Sequence, residues 1–351
     1  MNLRTAWLAL VQHHALDRPA ALQLESLAPW HEPPPQLQRH LWRTVAVLAA
    51  ALGGLGIVMW IASNWDTLGR PARFALLQGF VAVMYAGALW RAAARVPLGI
   101  LALLGTGALF AYFGQTYQTG ADPWQLFAWW AVLTLPLAVA GRSDALWAPW
   151  VLVATTGIAL WAQAHTGHRW RVLPQDLGVH LLALSAALGV TAAMLPLPAL
   201  QRVTGAGLWS LRTAGALAIT LVTTTALPAL FHSPVAPHYA LGLLLLAGTA
   251  AVTGQRRCFD LFLLSASTLG LNVLLVTGLA SLLLEGSRGD LIGGLLMVGL
   301  MAAGLLAGSV QLVMRMARNA QAQAQAQALD PQAQPAHHSA TTHADASKDN
   351  A

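Results

Sequence analysis

The sequence predicts an all-α protein: a polytopic bundle of about ten transmembrane helices joined by short loops, with N-in/C-in topology. Three observations predict it. Hydrophobic residues make up 56% of the 351 and charged residues only 9%, where a soluble domain carries about 25% charged residues. From Thr44 onward, apolar runs succeed one another, each close to the ~20 residues that span a bilayer core. The arginines in the connections between runs alternate from rich to poor.

Residues 1–40 read as an N-terminal pair of short helices on the cytoplasmic face or in the interface. Leu3, Trp7, Leu10 and Val11 share one helical face. Asp17 followed by Pro19 has the form of a helix start, a capping carboxylate with proline in the first turn. Leu22, Leu24 and Leu27 carry on a second helix, which Pro29 and the run Pro33 to Pro35 close. Residues Met1 to Gln12 have too short an apolar core for a signal peptide, so insertion is expected to depend on the first true span.

The bundle occupies 41–316. Its spans are predicted at 44–63, 72–90, 97–116, 124–140, 145–162, 178–196, 213–231, 238–254, 260–284 and 291–314, the eighth being short. Many of the 14 tryptophans flank these runs, at headgroup depth, where an amphipathic ring is best placed. Short connections make neighbouring spans antiparallel and leave no room for a large domain outside the membrane.

Orientation follows from charge. With the N-terminus inside, the cytoplasmic segments hold Arg39, Arg43, Arg91, Arg95, Arg142, Arg202, Arg212, Arg256, Arg257, Arg315 and Arg318, against Arg70, Arg73, Arg169, Arg171 and Arg288 outside. Cytoplasmic loops carry the excess of basic residues, and the alternation stays this clean only with ten spans. The tail, 317–351, is built of Gln-Ala repeats followed by Pro, His, Ser, Thr and Asp. It has no apolar face to bury and is expected to be disordered.

The same features exclude several functions. A net charge of +6 comes almost wholly from arginines scattered singly or in pairs, with no basic stripe interleaved with aromatics, so no nucleic-acid partner is expected. The single cysteine, Cys258, rules out an internal disulfide or a multi-cysteine metal site. His165 and His168 have H-x-x-H spacing, but without a carboxylate at ligand spacing they are read as loop residues, and neither a metal nor a cofactor is expected. No ionisable residue lies near the middle of any span, which argues against a proton pump with a midplane carboxylate. Asn272 is the most central strongly polar residue and is assigned an interhelical hydrogen bond. Gly53, Gly54, Gly56, Gly293, Gly294, Gly299, Gly304 and Gly308 are read as helix-packing positions, the last two in G-x-x-x-G spacing.

Candidate binding residues fall in two polar clusters. Asn64, Trp65 and Asp66 end the first span. Gln115, Tyr117 and Asp122 end the third, within FGQTYQTGADPW, where Gly114 and Gly120 permit a sharp turn. The first and third spans run in the same direction, so both clusters are expected at the outer face. Two readings stay open: structural interface loops, or a shared outward-facing polar pocket. Glu285, Arg288 and Asp290 are expected on the same side. No catalytic constellation is present.

The stretches WLALVQHHALDRPAALQLESL, IASNWDTLGRPARFALLQ and FGQTYQTGADPWQLFAWWAVLTLPLAV resemble a family of bacterial membrane proteins known as domain of unknown function 2157, over residues 3 to 162. The resemblance implies a multi-pass protein of the bacterial cytoplasmic (inner) membrane and transfers no catalytic residue. The expected function is that of a non-enzymatic envelope scaffold that packs against a membrane-protein partner or forms a homo-oligomer within the lipid bilayer. The alternatives are a transporter or channel for a small neutral or amphiphilic solute and, third, an enzyme on a lipid-linked substrate with Asp66 or Asp122 as base.

Overall fold

The computed structural model of the chain describes residues 7, 10–14, 16–27, 35–64, 67–117, 120, 122–167, 172–255, 258–286 and 291–329. Among these, every regular element is a helix. Residues 10–13 are helical, and α1 (Arg18–Leu27) follows, with the Asp17 carboxylate accepting the Ala20 N–H at 3.1 Å as the sequence predicts. Nine helical segments among the described residues are long and apolar enough to cross a membrane. They are formed by α2 (Pro35–Ser63), α3 (Arg70–Trp90), α4 (Arg95–Tyr117) with the 3-10 turn Ala92–Ala94 before it, α5 (Pro123–Gly141), α6 (Asp144–His165), α7 (Leu177–Ala193) with the 3-10 turn Pro174–Asp176 before it, α9 (Leu208–Ala229), α11 (Leu261–Gly286) and α12 (Leu291–Leu329). The short α8 (Pro198–Thr204) precedes α9. α10 (Pro237–Thr253) is apolar but has 17 residues, at the lower limit for a span; it is the weak eighth run of the sequence. The protein is a polytopic all-α membrane bundle.

Two expected boundaries differ. α2 begins at Pro35, so the division drawn at residue 40 falls inside a continuous helix; proline suits a first helical turn. α12 continues past 316 through the Gln-Ala repeats to Leu329. Alanine and glutamine are strong helix formers, and a repeat with no apolar face can still extend a helix already nucleated. Residues 330–351 lie outside the described residues.

The chain forms two compact units, Met1–Leu109 and Phe110–Ala351. Within the first, α2 and α3 each pack on α4 through glycine. A Cβ on Gly54 would meet Leu101 and Leu104, and one on Gly105 would meet Phe80 and Val81. Small residues let helices approach closely where lipid supplies no hydrophobic drive between them. The other predicted packing glycines differ. Gly53, Gly56, Gly299, Gly304 and Gly308 face open space rather than another helix of the described chain.

Within the second unit, α9 is the central helix. It lies against α6, α7, α10 and α11 and buries Leu211, Ala214, Val222 and Ala226 among Trp147, Val151, Leu184, Leu246 and Leu274. α5 packs on α6, and α12 on α11. The last contact includes the bond predicted for Asn272, whose amide donates to Ser309 Oγ at 2.8 Å.

Candidate functional site

The described residues of the predicted clusters lie at or next to helix ends. The Asn64 side chain turns back on its own helix, its amide donating to the Trp60 carbonyl at 3.0 Å and to Ser63 Oγ at 3.3 Å. Its carbonyl accepts the Thr67 hydroxyl at 2.8 Å. Carbonyls at a helix C-terminus lack intrahelical donors, and this turn supplies one. Trp65 and Asp66 lie outside the described residues. In the second unit, Gln115 is exposed, and Tyr117 is exposed beside Phe113 at 4.9 Å between ring centroids. Asp122 is the half-buried N-cap of α5, its carbonyl accepting the Gln125 N–H at 3.0 Å. Asn64 thus bonds within its own helix end and turn. Arg288 and Asp290 also lie outside the described residues.

The densest polar chemistry is elsewhere, at the two ends of the second unit. At one end, Asp144 opens α6 but caps α9. Its Oδ1 accepts the N–H of Gly207 at 2.9 Å and of Ser210 at 2.8 Å, and its Oδ2 accepts that of Trp209 at 2.8 Å. Helix N-termini present free N–H groups and a partial positive charge, which a carboxylate satisfies. Around it, Trp147 Nε1 donates to the Thr204 carbonyl at 2.6 Å and Trp150 Nε1 to the Ala131 carbonyl at 2.8 Å. Gly205, at φ +60°, presses on the backbone of Arg142, where a side chain would not fit. Nearby, Arg212 Nε donates to Asp260 Oδ2 at 3.0 Å, while Oδ1 of the same carboxylate caps α11 through the Leu263 N–H. These contacts make α6 and α9 run in the same direction.

At the opposite end, the first turns of α7 and α10 bring two histidines together. The His180 and His238 rings stack edge to face, with centroids 4.9 Å apart. His180 Nδ1 lies 3.0 Å from the Asp176 carbonyl. His238 is 2% exposed, and among the described residues neither ring nitrogen has a hydrogen-bond partner; Oδ2 of Asp176 is also buried without one among them. On the same end, His165 Nδ1 lies 2.8 Å from the Trp161 carbonyl, and its ring sits between those of Trp161 and Trp124. Two cavities of about 610 and 490 Å³ share Phe231 and His232 as walls, the larger also lined by Tyr239 and Ser281. Among the described residues no three His, Cys, Asp or Glu side chains are placed to hold a metal. His168 lies outside the described residues.

Residues 8–147 match the family model described as predicted membrane protein, DUF2157. No curated protein and no solved structure matches the chain. The match is to the family whose resemblance was read over residues 3 to 162; it is shorter at both ends and covers the two predicted clusters. It stops just past Asp144, so the partners of Asp144 and the histidine pair lie in the part of the chain that the DUF2157 match does not reach. The sequence carries signals for Asp144 and Asp260, since each is an acidic residue directly before an apolar run. It carries none for the pairing of His180 with His238, which only folding brings about.

Proposed function

We propose that this is a non-enzymatic protein of the bacterial cytoplasmic membrane, with both ends inside, that packs through its second helix against another membrane protein. One observation carries the reading. Among the described residues α2 buries only 11% of its most apolar window, as α3 does, against 50% for α9 and none for α12. The face left open carries small residues in helical register: Ala49, Gly53 and Gly56, followed by Trp60, are all exposed. Lipid alone asks for no such stripe, whereas close helix association in a membrane uses one. α2 also lies wholly within the DUF2157 match. The excess of arginine on alternate connections supports the orientation, and the family resemblance supports the bacterial cytoplasmic membrane.

The test is affinity purification of the full chain from native membranes in a mild detergent. A second membrane polypeptide should be recovered in stoichiometric amount, and Gly53→Leu with Gly56→Leu should abolish its recovery while leaving the chain monodisperse and equally heat-stable. Recovery of a monomer or a homo-oligomer alone overturns the proposal.

A second reading, passage or binding of a small neutral or amphiphilic solute, is favoured by the paired cavities at Phe231 and His232. In this reading Asn64, Trp65, Asp66, Gln115, Tyr117 and Asp122 are further polar contacts. Asp66→Ala with Gln115→Ala should then abolish flux into vesicles at unchanged abundance; loss of abundance returns those residues to structural roles.

A further inference from the structure

The end of the second unit that holds the histidine pair is built around polar groups left without partners. A buried hydrogen-bonding group without a partner is costly, and where one persists a functional arrangement is a standard cause. Here three such atoms sit in adjacent turns: both ring nitrogens of His238 and Oδ2 of Asp176. A carboxylate oxygen that needs a donor and an imidazole that can supply a charged one are complementary, yet in this arrangement they do not bond.

His238 instead stacks on His180, which is held by the Asp176 carbonyl. The stack seats the first turn of α10 on that of α7. The surrounding contacts are apolar or backbone: Ala229, Ala236 and Val172 are buried together against Tyr239, and the Ala236 N–H donates to the Ala229 carbonyl at 3.0 Å. Among the described residues, the groups that act electrostatically on His238 are His180 from α7 and Asp176 from the 3-10 turn Pro174–Asp176 before it. α9 and α11 meet α10 with Ala226 and Leu274. Tyr239 gives its hydroxyl to the Leu274 carbonyl at 2.8 Å, and His232 lies in the connection that leads into α10.

We propose that Asp176, His180 and His238 form a proton-operated latch on the start of α10. With the two rings stacked, the latch is closed. A proton taken from water onto His238 cannot be kept in the stack, where neither nitrogen has an acceptor. The ring then turns to Asp176, the ion pair replaces the stack, and the first turn of α10 lifts from α7. The connection over residues 230–236 moves with it, and that connection walls both cavities. Histidine is the residue whose ordinary titration falls in this range, and two alternative pairings of one buried group make a two-state element.

The experiment is hydrogen exchange of the full chain in lipid nanodiscs at about pH 8 and about pH 5, spanning the histidine range, with intrinsic pH dependence corrected. Protection of the amides from Ala229 to Tyr239 should fall several-fold on acidification, while α6 stays protected. His180→Gln and His238→Gln should each remove the pH dependence. Should the His238 variant fail to fold, the His180 variant decides. Equal protection of the native chain at both pH values, or the same fall in a folded variant, overturns the latch.

Discussion

The first unit and the second solve the same problem, apolar helices in lipid, in different ways. In the first, α2 and α3 bury 11% of their apolar windows, and packing rests on glycines set against leucine and phenylalanine. In the second, α9 buries 50% of its window, and its neighbours are tied to it and to one another by a carboxylate cap, an ion pair, two indole N–H bonds and a histidine stack. In hydrocarbon there is no hydrophobic force between helices, so cohesion within a chain depends on close packing and on polar groups that find each other. The part of the second unit around α9 has both. The first unit has mainly the former, and among the described residues α2 leaves a small-residue face open, as α12 of the second unit does at Gly299, Gly304 and Gly308.

The comparison breaks most visibly at Asp144. Asp144→Ala removes the acceptor of three backbone N–H groups, and the loss of charged hydrogen bonds should cost about 3 to 6 kcal/mol. Thermal unfolding in detergent should show a large drop in midpoint, and full stability would mean that the α6 and α9 ends are held by packing alone. Next comes Gly205→Ala. A side chain there is driven into the Arg142 backbone at a left-handed φ, and about 2 to 3 kcal/mol should be lost in the same assay.

Arg212→Ala should cost less, about 1 to 2 kcal/mol. Asp260, 10% exposed, would lose its cation, but Arg212 is one-third exposed and water screens part of the effect. The cap that Asp260 provides to α11 survives the change. Asn272→Ala, which removes the amide donor to Ser309 Oγ while the Ser309 hydroxyl still donates to the Leu306 carbonyl, should cost about 0.6 to 2 kcal/mol, read as a small fall in denaturation midpoint. The smallest effect belongs to the first unit. Gly53→Ala and Gly56→Ala meet open space, and stability should stay within about 0.5 kcal/mol. A loss as large as that of Gly205→Ala would show that the face is packed within the chain after all, and the contrast between the units would fall.

Much of this molecule was legible before any coordinates. The helical spans, the short eighth run, the Asp17 cap and the Asn272 bond follow from period, length and the cost of polar groups in lipid, and each is present. Among the described residues no helix covers Gly53, Gly56, Gly299, Gly304 or Gly308, because spacing marks a smooth face without saying what covers it. The candidate site was read from clusters of neighbouring polar residues. Sequence proximity favours local turns, and Asn64 indeed bonds to its own helix.

Composition and periodicity alone therefore determined the solvent of this protein, the length of its elements and most of their order, since those depend on each residue and its near neighbours. Only the tertiary structure decided which polar residues meet: Asp144 with Gly207, Trp209 and Ser210, Arg212 with Asp260, and His180 with His238. Those pairs are separated by dozens of residues, and what joins them is the direction in which each helix crosses and the end at which it stops.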